Sequence, residues 1–241
     1  PGAWSYNAEN QLTQYPALQN GQTLATQVQY NAQGHTQKEI NSRSTKTYQY
    51  NVAERLVRYE EIGSSAPVQA SYRYDPYGRR ISKTTTQSGN SQTTYYAYGS
   101  SGLLAELNDQ GVVTKAYGWN PQSADLWSTA PLWQAETNPQ NASLSNSATA
   151  YHYLHTDHLE TPVLGTDKSG TQTWKAISEA FGETKVDTAS TITMNLRFAG
   201  QYFDDESGLH QNYFRDYHSR SGRYIQRDPI GLEGGINTYA Y

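Results

Sequence analysis

The sequence predicts an all-β protein made of consecutive antiparallel hairpins. Its 241 residues include 21 Tyr but only 4 Phe and 1 Met, and tyrosine favours strands. The tyrosines recur before short polar turns, and the segments around these turns alternate apolar and polar residues with the two-residue period of a strand. No segment carries a convincing helical pattern.

A repeat organises the first half of the chain. Each unit places an aromatic strand end before a small polar turn, which usually closes on glycine, and a second strand follows. The units begin at Tyr6, Tyr30, Tyr50, Tyr74 and Tyr98, at spacings of 24, 20, 24 and 24 residues. A period of this size fits one β-hairpin of two short strands with their connections.

The side chains of these units indicate their strands and turns. Tyr48 and Tyr50 fall on one strand face, with Gln49 between them. Asp75-Pro76-Tyr77-Gly78 has turn chemistry, since Asp stands first, Pro fixes φ at the second position and Gly stands fourth. One hairpin cannot bury its aromatic face alone, so residues 1–118 are predicted to join laterally into a curled sheet.

Residues 119–149 break the repeat with prolines, serines and asparagines, a composition typical of a loop. Trp119, Trp127 and Trp133 nevertheless carry too much apolar area to remain in water. We therefore expect a loop-rich insertion that folds back on the sheet, and the alternative is a disordered tether.

Residues 150–241 are predicted to form a third region, in which strands resume between closely spaced glycines. Within it, Lys175–Phe181 could form two helical turns or continue as a strand.

Composition excludes several functions. The net charge is −4 and only 17% of residues are charged, so no basic stripe is available for nucleic acid. Cysteine is absent, which excludes disulfides and thiolate metal sites. No apolar run reaches the ~18 residues of a membrane helix, and the first residues lack a signal-peptide pattern. We expect no membrane insertion by this segment and no directed classical secretion.

Three histidines near one carboxylate raise the possibility of a metal site. His152, His155, Asp157 and His158 lie within seven residues. On a strand, however, His152 and His158 share one face and His155 takes the other, and one strand rarely supplies a whole site. Structural packing is the favoured interpretation. His210 and His218 are interpreted in the same way.

The chain shows no nucleophile motif and no phosphate loop, and Gly234-Gly235 alone indicates a kink. No cofactor is therefore expected. Arg227-Asp228-Pro229-Ile230-Gly231 remains as a candidate. From its residues alone it predicts a β-turn, by the same logic as Asp75-Pro76-Tyr77-Gly78.

Many short motifs in the last third of the chain occur in a fixed order. They are Tyr151-His152-Tyr153, Thr156-Asp157-His158-Leu159, Thr161-Pro162, Ala180-Phe181-Gly182, Asn195 to Tyr202, Asp204, Glu206 to His210, Asn212 to Arg215, Gly222-Arg223-Tyr224 and Arg227 to Leu232. This order resembles the repeat-associated core of Rhs and YD-repeat proteins, the bacterial polymorphic toxins whose repeats form a shell, or cocoon, around a C-terminal toxin.

The resemblance implies a role for Asp228. In such proteins an Arg-Asp-Pro-x-Gly motif begins a self-cleavage element of the aspartic-protease type, in which Asp228 would be one of two carboxylates. Arg227 would orient it or bias its protonation. The resemblance places the second carboxylate and the scissile bond beyond Tyr241, so the segment is not expected to be an enzyme by itself.

Two positions depart from the family pattern. Tyr217-His218-Ser219 replaces a Tyr-Asp-Pro turn, and Glu160 stands where glycine is usual, which puts the tightness of that turn in doubt. The resemblance also implies that Lys175–Phe181 continues the sheet.

The implied function is to contain a toxin and contribute to its release for interbacterial competition, with delivery of the type VI secretion kind. The implied partners are the C-terminal toxin domain, upstream shell repeats, secretion spike or adaptor proteins and an immunity protein. The protein would be cytoplasmic before export and then secreted. Two alternatives remain open: an adhesive or carbohydrate-binding YD-repeat protein of the cell surface, and a shell subunit of an ABC-type toxin complex.

Overall fold

The chain forms two antiparallel β-sheets, which confirms the all-β prediction. The computed structural model describes residues 3–19, 21–63, 67–123, 129–137, 147, 149–198 and 200–241. Within these ranges the only helical pieces are short 3-10 turns, at Pro121–Ser123, Ser219–Ser221 and Gly231–Gly234. No helix in the described part of the chain is long and apolar enough to cross a membrane.

A 16-stranded sheet takes up most of the molecule, and a four-stranded sheet follows it. The strands of the large sheet are β1 (Ser5–Tyr6), β2 (Leu12–Gln19), β3 (Gln22–Tyr30), β4 (Thr36–Ile40), β5 (Thr45–Tyr50), β6 (Leu56–Ile62), β7 (Val68–Tyr74), β8 (Arg80–Gln87), β9 (Asn90–Gly99), β10 (Gly102–Leu107), β11 (Val113–Trp119), β12 (Pro131–Glu136), β13 (Ala150–Thr156), β14 (Pro162–Thr166), β15 (Gln172–Ser178) and β16 (Thr184–Val186). The strands of the small sheet are β17 (Tyr202–Asp204), β18 (Leu209–Asn212), β19 (Arg215–His218) and β20 (Arg223–Tyr224).

Each strand pairs with the next one along the chain, so the large sheet is a continuous meander. The turns between strands explain this local order. At the turn after β7, the Asp75 carboxylate accepts hydrogen bonds from the backbone N–H groups of Tyr77 (3.0 Å) and Arg79 (2.9 Å). Gly78 N–H donates to the Asp75 carbonyl at 2.9 Å. Asp and Asn favour such turns because a short side chain can satisfy nearby backbone donors. The same turn is built at Asn7, Asn31, Asn51, Asn108, Asp157 and Asp167.

The fourth position of this turn adopts a left-handed backbone, which is why glycine is common there. Three turns instead place a side-chain-bearing residue at that position: Asn10 (φ 59°), Glu54 (φ 62°) and Glu160 (φ 62°). The doubt raised by Glu160 is resolved, because its N–H donates to the Asp157 carbonyl at 3.1 Å and the turn closes. The substitution is accommodated as backbone strain and leaves the turn intact.

The repeat tyrosines tie successive hairpins together through their hydroxyl groups. Tyr30, Tyr74 and Tyr98 donate to the carbonyl oxygens of Leu12 (3.1 Å), Leu56 (2.8 Å) and Arg80 (3.0 Å), each 18 residues upstream. Tyr50 donates in the same way to Thr36 at 2.6 Å. A buried tyrosine hydroxyl requires a partner, and the repeat spacing provides one in the neighbouring hairpin.

The region predicted as a loop-rich insertion contains a strand. β12 pairs with β11 on one side and β13 on the other, so the large sheet continues across residues 118–119 and 149–150. Trp119 lies in β11, where its indole N–H donates to the Leu103 carbonyl at 2.7 Å. Trp133 lies in β12, and Trp127 is outside the described residues. The composition did not indicate β12, because this strand has only six residues and polar turn formers flank it in the sequence. The first sheet ends later, between β16 and β17.

Lys175–Phe181 does not form helical turns, because β15 runs through it as far as Ser178. Its continuation of the sheet is therefore confirmed. Trp174, in the same strand, is almost fully buried in the core.

The small sheet packs against the inner face of the large one. One core cluster joins Leu209 and Ile225 of the C-terminal region to tyrosines of β5–β7, and another joins Tyr202 to aromatic residues of β9, β11 and β15. A four-stranded unit can touch strands this far apart in a meander only if the large sheet wraps around it.

Arg220 shows how far the large sheet curls. Its guanidinium donates to the Leu18 carbonyl of β2 (2.7 Å) and to the Glu183 carboxylate beside β16 (2.6 Å). In a flat sheet these two positions would be roughly 65–70 Å apart at ~4.8 Å per strand. The large sheet therefore curls until its two ends meet at one side chain of the small sheet.

Candidate functional site

The segment after β20 returns to the beginning of the large sheet. Ile225 accepts a hydrogen bond from Thr36 N–H at 2.8 Å, and the Tyr239 hydroxyl donates to the Gly34 carbonyl at 2.6 Å. Within the segment, Asp228 N–H donates to the Thr238 carbonyl at 2.8 Å. These bonds hold residues 225–228 and residues 238–239 side by side against the turn between β3 and β4.

Asp228 begins the turn that the sequence predicts. Gly231 N–H donates to its carbonyl at 2.9 Å, and Ile230 N–H donates to its Oδ1 at 3.0 Å. Its Oδ2 lies 3.1 Å from the Arg215 guanidinium, and the Asp228 side chain is 19% exposed. The carboxylate is thus held by two different donors and keeps some access to solvent.

The ion pair of Asp228 is made with Arg215, and the side chain of Arg227 lies elsewhere, so a role for Arg227 remains a prediction. Arg227 is exposed, its backbone N–H donates to His35 Nδ1 at 3.2 Å, and its side chain packs over Gly34. Adjacent residues on an extended chain point in opposite directions, so Arg227 turns away from the carboxylate. Arg215, from β19, forms the ion pair instead.

Arg215 is itself positioned by an aromatic stack. Its guanidinium lies 3.7 Å from the ring centroid of Tyr224, and Tyr224 stacks on Tyr241 with an interplanar angle of 9°. Asn212 donates a hydrogen bond to the Tyr224 hydroxyl at 2.6 Å. Cation–π contact and ring stacking restrict the guanidinium to the side of the stack that faces Asp228. The sequence signal that could have found Arg215 is the β19–β20 hairpin, which brings residues 215 and 226–228 together.

Gly234 allows the chain to pass close to the Asp228 carboxylate. A Cβ atom at this position would lie 3.1 Å from Asp228 Oδ2 and 3.3 Å from Ile230 Cδ1. Gly235, next to it, has φ 123°, a backbone conformation that favours glycine. The Gly-Gly pair therefore does more than kink the chain, since it leaves room beside the carboxylate.

Sequence reasoning missed a second carboxyl group, Asp216. It is buried, and its Oδ2 accepts a hydrogen bond from Gln226 Nε2 at 2.5 Å while its N–H donates to Gln226 Oε1 at 2.8 Å. Burial raises the pKa of Asp216 to about 7, although the Gln226 hydrogen bond acts in the opposite direction. Asp216 follows Arg215 in β19, so the two side chains point to opposite faces of the small sheet.

His152 and His155 lie on opposite faces of β13, as strand alternation predicts, but His158 lies exposed in the turn after β13 and does not share the buried face of His152. His152 is buried and its Nδ1 pairs with Thr173 Oγ1 at 3.1 Å, whereas His155 is exposed and pairs with Thr166. Burial lowers the pKa of His210 to about 3, so its imidazole is neutral and pairs with Gln201 at 2.6 Å. In the described part of the chain, no group of three His, Asp or Glu side chains is placed to hold a metal ion.

Comparison with known proteins identifies the architecture. The Teneurin YD-shell family model matches residues 129–234. Double-stranded DNA deaminase toxin A of Burkholderia cenocepacia is 32% identical over 85% of this chain, and toxin protein Tse5 of Pseudomonas aeruginosa is 30% identical over 80% of it. The matches span 15% and 16% of those two proteins, so the chain corresponds to a small part of each.

Solved structures show the same fold. The Tc holotoxin pore of Photorhabdus luminescens matches 98% of this chain with a TM-score of 0.64 at 18% identity, over 12% of its own chain. The TcdB2-TccC3 crystal structure matches with a TM-score of 0.58. The chain has a meander of hairpins joined by tyrosine hydrogen bonds, and it carries the C-terminal motifs. It belongs to the Rhs and YD-repeat family and is a segment of a YD-repeat shell.

Proposed function

We propose that this segment closes a toxin shell and takes part in the release of its cargo. The curled large sheet would form the wall of the shell, with the small sheet packed against its inner face. In the whole protein the wall would extend through upstream repeats and encapsulate a C-terminal toxin domain. The relatives named as toxins support this role.

The position of Asp228 carries the proposal. Its carboxylate is partly exposed, paired with Arg215, and located on the segment that runs back into the curled sheet. A residue that cuts the chain next to the cargo must lie where the chain turns inside the shell. The location of Asp228 on this returning segment supports such a role.

The proposed chemistry is hydrolysis of one peptide bond by two carboxyl groups. Two carboxylates held close together cannot both ionise, so one keeps a proton and polarises the scissile carbonyl while the other activates water. Water adds to the carbonyl carbon, the C–N bond breaks, and the leaving nitrogen takes a proton. Asp228 contributes one carboxyl group, and Arg215 orients it through a charge-assisted contact.

Delivery and partners follow from the same proposal. The protein would be held in the cytoplasm until export by a type VI-like machine, with spike or adaptor proteins as carriers and an immunity protein protecting the producing cell. Released toxin would act in competing bacteria. The names of the relatives support toxin carriage and export in general.

Burial of four strand tyrosines other than those that begin the repeats argues against the adhesive alternative. That function needs exposed aromatic clusters, but Tyr48, Tyr59, Tyr72 and Tyr96 are buried within the molecule. A second candidate, the shell subunit of an ABC-type toxin complex, is favoured by the fold likeness to the Tc structures. The regions that flank the shell in the whole protein would distinguish a toxin-complex subunit from the favoured Rhs-type shell.

Self-cleavage of the full-length protein tests the proposal. Wild type is expected to yield a discrete C-terminal fragment by gel and intact mass, and Asp228→Asn is expected to leave the chain uncut. Asp205→Asn, an exposed aspartate in the same region, is the matched control and should cleave normally. Equal cleavage in wild type and Asp228→Asn would reject the role of Asp228.

A further inference from the structure

Three consecutive residues, at the end of the turn between β3 and β4 and the start of β4, bind the C-terminal segment. The Gly34 carbonyl accepts from the Tyr239 hydroxyl at 2.6 Å, His35 Nδ1 accepts from Arg227 N–H at 3.2 Å, and Thr36 N–H donates to the Ile225 carbonyl at 2.8 Å. Two of these contacts are made by main-chain atoms, those of Gly34 and Thr36. The middle one depends on a side chain, the imidazole of His35.

The contact with Arg227 determines the protonation state of His35. A backbone N–H can only donate, so His35 Nδ1 must carry a free lone pair and the proton of the neutral ring must sit on Nε2. The side chain is only 2% exposed, which leaves no room for water to replace the contact. A protonated ring would present an N–H to the Arg227 N–H, and the hydrogen bond would be lost.

The groups around His35 shift its pKa in opposite directions. Nε2 lies 3.7 Å from the Glu54 carboxylate, too far for a hydrogen bond but close enough to favour a positive ring. Burial lowers the pKa of His35 below its ordinary value, Glu54 raises it, and Arg227 lowers it again. His35 is therefore neutral at neutral pH, and it gains a proton only as the solution becomes acidic.

We propose that His35 is a positioning residue that holds the Gln226–Arg227 peptide, next to Asp228, in place only while its imidazole is neutral, which makes the self-cleavage site sensitive to acid. The Asp228 N–H bonds to Thr238, and Tyr239 is anchored by Gly34. Loss of the His35 contact therefore loosens the chain at Arg227, while Tyr239 stays bonded to Gly34. The inference rests on the proposed function for its consequence, but the contact itself can be tested separately.

The first experiment measures the rate of self-cleavage in the full-length protein from about pH 7.5 to about pH 4.5, the range in which a histidine changes charge. His35→Asn keeps an acceptor oxygen near the position of Nδ1 and does not titrate, whereas His35→Leu removes the acceptor. We expect His35→Leu to cleave about fivefold more slowly at neutral pH, as for the loss of one neutral hydrogen bond. His35→Asn should match wild type at neutral pH and lose less activity in acid.

His155→Asn is the matched control, because His155 is an exposed histidine on β13. Its pH profile should follow that of wild type. Identical acid limbs for wild type and His35→Asn would overturn the inference, since a purely structural histidine would leave the shape of the profile unchanged.

The second experiment separates this inference from the proposed function. Full-length Asp228→Asn is expected to stay uncut, so hydrogen exchange in this protein does not depend on cleavage. Exchange is followed by mass spectrometry in peptides covering residues 225–228. In acid, these peptides should exchange faster in Asp228→Asn alone than in the double variant that also carries His35→Asn. Peptides of β7 should exchange equally in the two proteins. If cleavage is absent in wild type, the proposed function fails while this readout still tests His35. Equal exchange in the two proteins at every pH would reject the positioning role.

Discussion

Asp216 and Asp228 lie in the same C-terminal region but in opposite environments. Asp228 meets a cation, a backbone donor and some solvent, which suits the reactive role proposed for its carboxyl group. Asp216 is buried and meets a neutral amide from Gln226. The first environment favours function, and the second makes stability depend on pH.

The raised pKa of Asp216 predicts that stability decreases as the pH increases. The folded protein holds this proton up to about pH 7, whereas the unfolded chain releases it near pH 4. Between these values the native state binds more protons, so the free energy of unfolding falls with increasing pH. Asp216→Asn should remove this dependence and stabilise the protein above pH 7 by up to roughly 4 kcal/mol, about 1.4 kcal/mol per pKa unit. Urea unfolding at about pH 4 and about pH 8 measures it. A mutant less stable than wild type at the higher pH would contradict the prediction.

The ion pair of Asp228 with Arg215 predicts which basic residue the proposed self-cleavage needs. Arg215→Gln should slow cleavage by roughly 10- to 100-fold, because hydrogen bonds to charged groups contribute about 1.5–3 kcal/mol. Arg227→Gln, at a residue that faces away from the carboxylate, should have a much smaller effect. Single-turnover cleavage of the purified uncut protein compares the two rates. A larger loss in Arg227→Gln would restore the pairing expected from the sequence.

These residues also show what a sequence can reveal about a site. The Asp-Pro-x-Gly turn at Asp228 was predicted because its chemistry is local. Arg215 was missed because its role depends on a hairpin register and on the stack with Tyr224. His35 lies 192 residues from Arg227 along the chain, so no local pattern connects them.

At the scale of the element, one hairpin unit combines two devices. An Asn or Asp side chain closes the turn, and a tyrosine hydroxyl bonds to the previous hairpin. Both follow from residue type and spacing, so the repeat could be predicted from the sequence. β12 could not, because its short strand depends on pairing with β11 and β13. Tertiary pairing here overrides a composition typical of loops.

The left-handed backbone at Glu160 predicts a stabilising substitution. A residue with a Cβ pays about 1–2 kcal/mol in this conformation, and glycine does not. Glycine also makes the unfolded chain more flexible, which offsets part of the gain. Glu160→Gly should therefore raise the free energy of unfolding by about 0.5–1 kcal/mol. Thermal unfolding measures the change, with Glu179→Gly, in an exposed turn, as the control. A destabilised Glu160→Gly protein would show that the side chain has another role.

At the scale of the whole molecule, buried charges join the two sheets. Asp204 of β17 pairs with Arg80 (2.5 Å) and Lys83 (2.8 Å) of β8, and Lys83 also reaches Glu206 at 3.0 Å. Tyr72 donates to Glu206 at 2.8 Å. The Arg80 guanidinium further lies over the rings of Tyr72, Tyr96 and Tyr202. Every charge in this group has a partner on the opposite sheet or on a shared neighbour.

Removal of the central carboxylate should therefore weaken the junction of the sheets. Asp204→Asn leaves Arg80 and Lys83 with excess positive charge in the interior, and breaking a buried pair in this way costs about 3–5 kcal/mol. Chemical unfolding of the variant should show that loss, and Asp205→Asn, at the exposed neighbouring position, should stay within about 0.5 kcal/mol of wild type. A neutral effect of Asp204→Asn would mean that the apolar clusters alone hold the small sheet.

The return of the C-terminal segment to the first hairpins also sets the order of assembly during translation. Tyr239 bonds to Gly34 across 205 residues, and Arg223 bonds to Asn10 across 213. At about 5–20 residues per second, the ribosome needs roughly 10 to 40 s to supply these late partners. Early hairpins must wait that long with their inner tyrosines uncovered. Nascent chains of this fold should therefore need chaperones most while the wall is complete but the closing segment has not yet emerged.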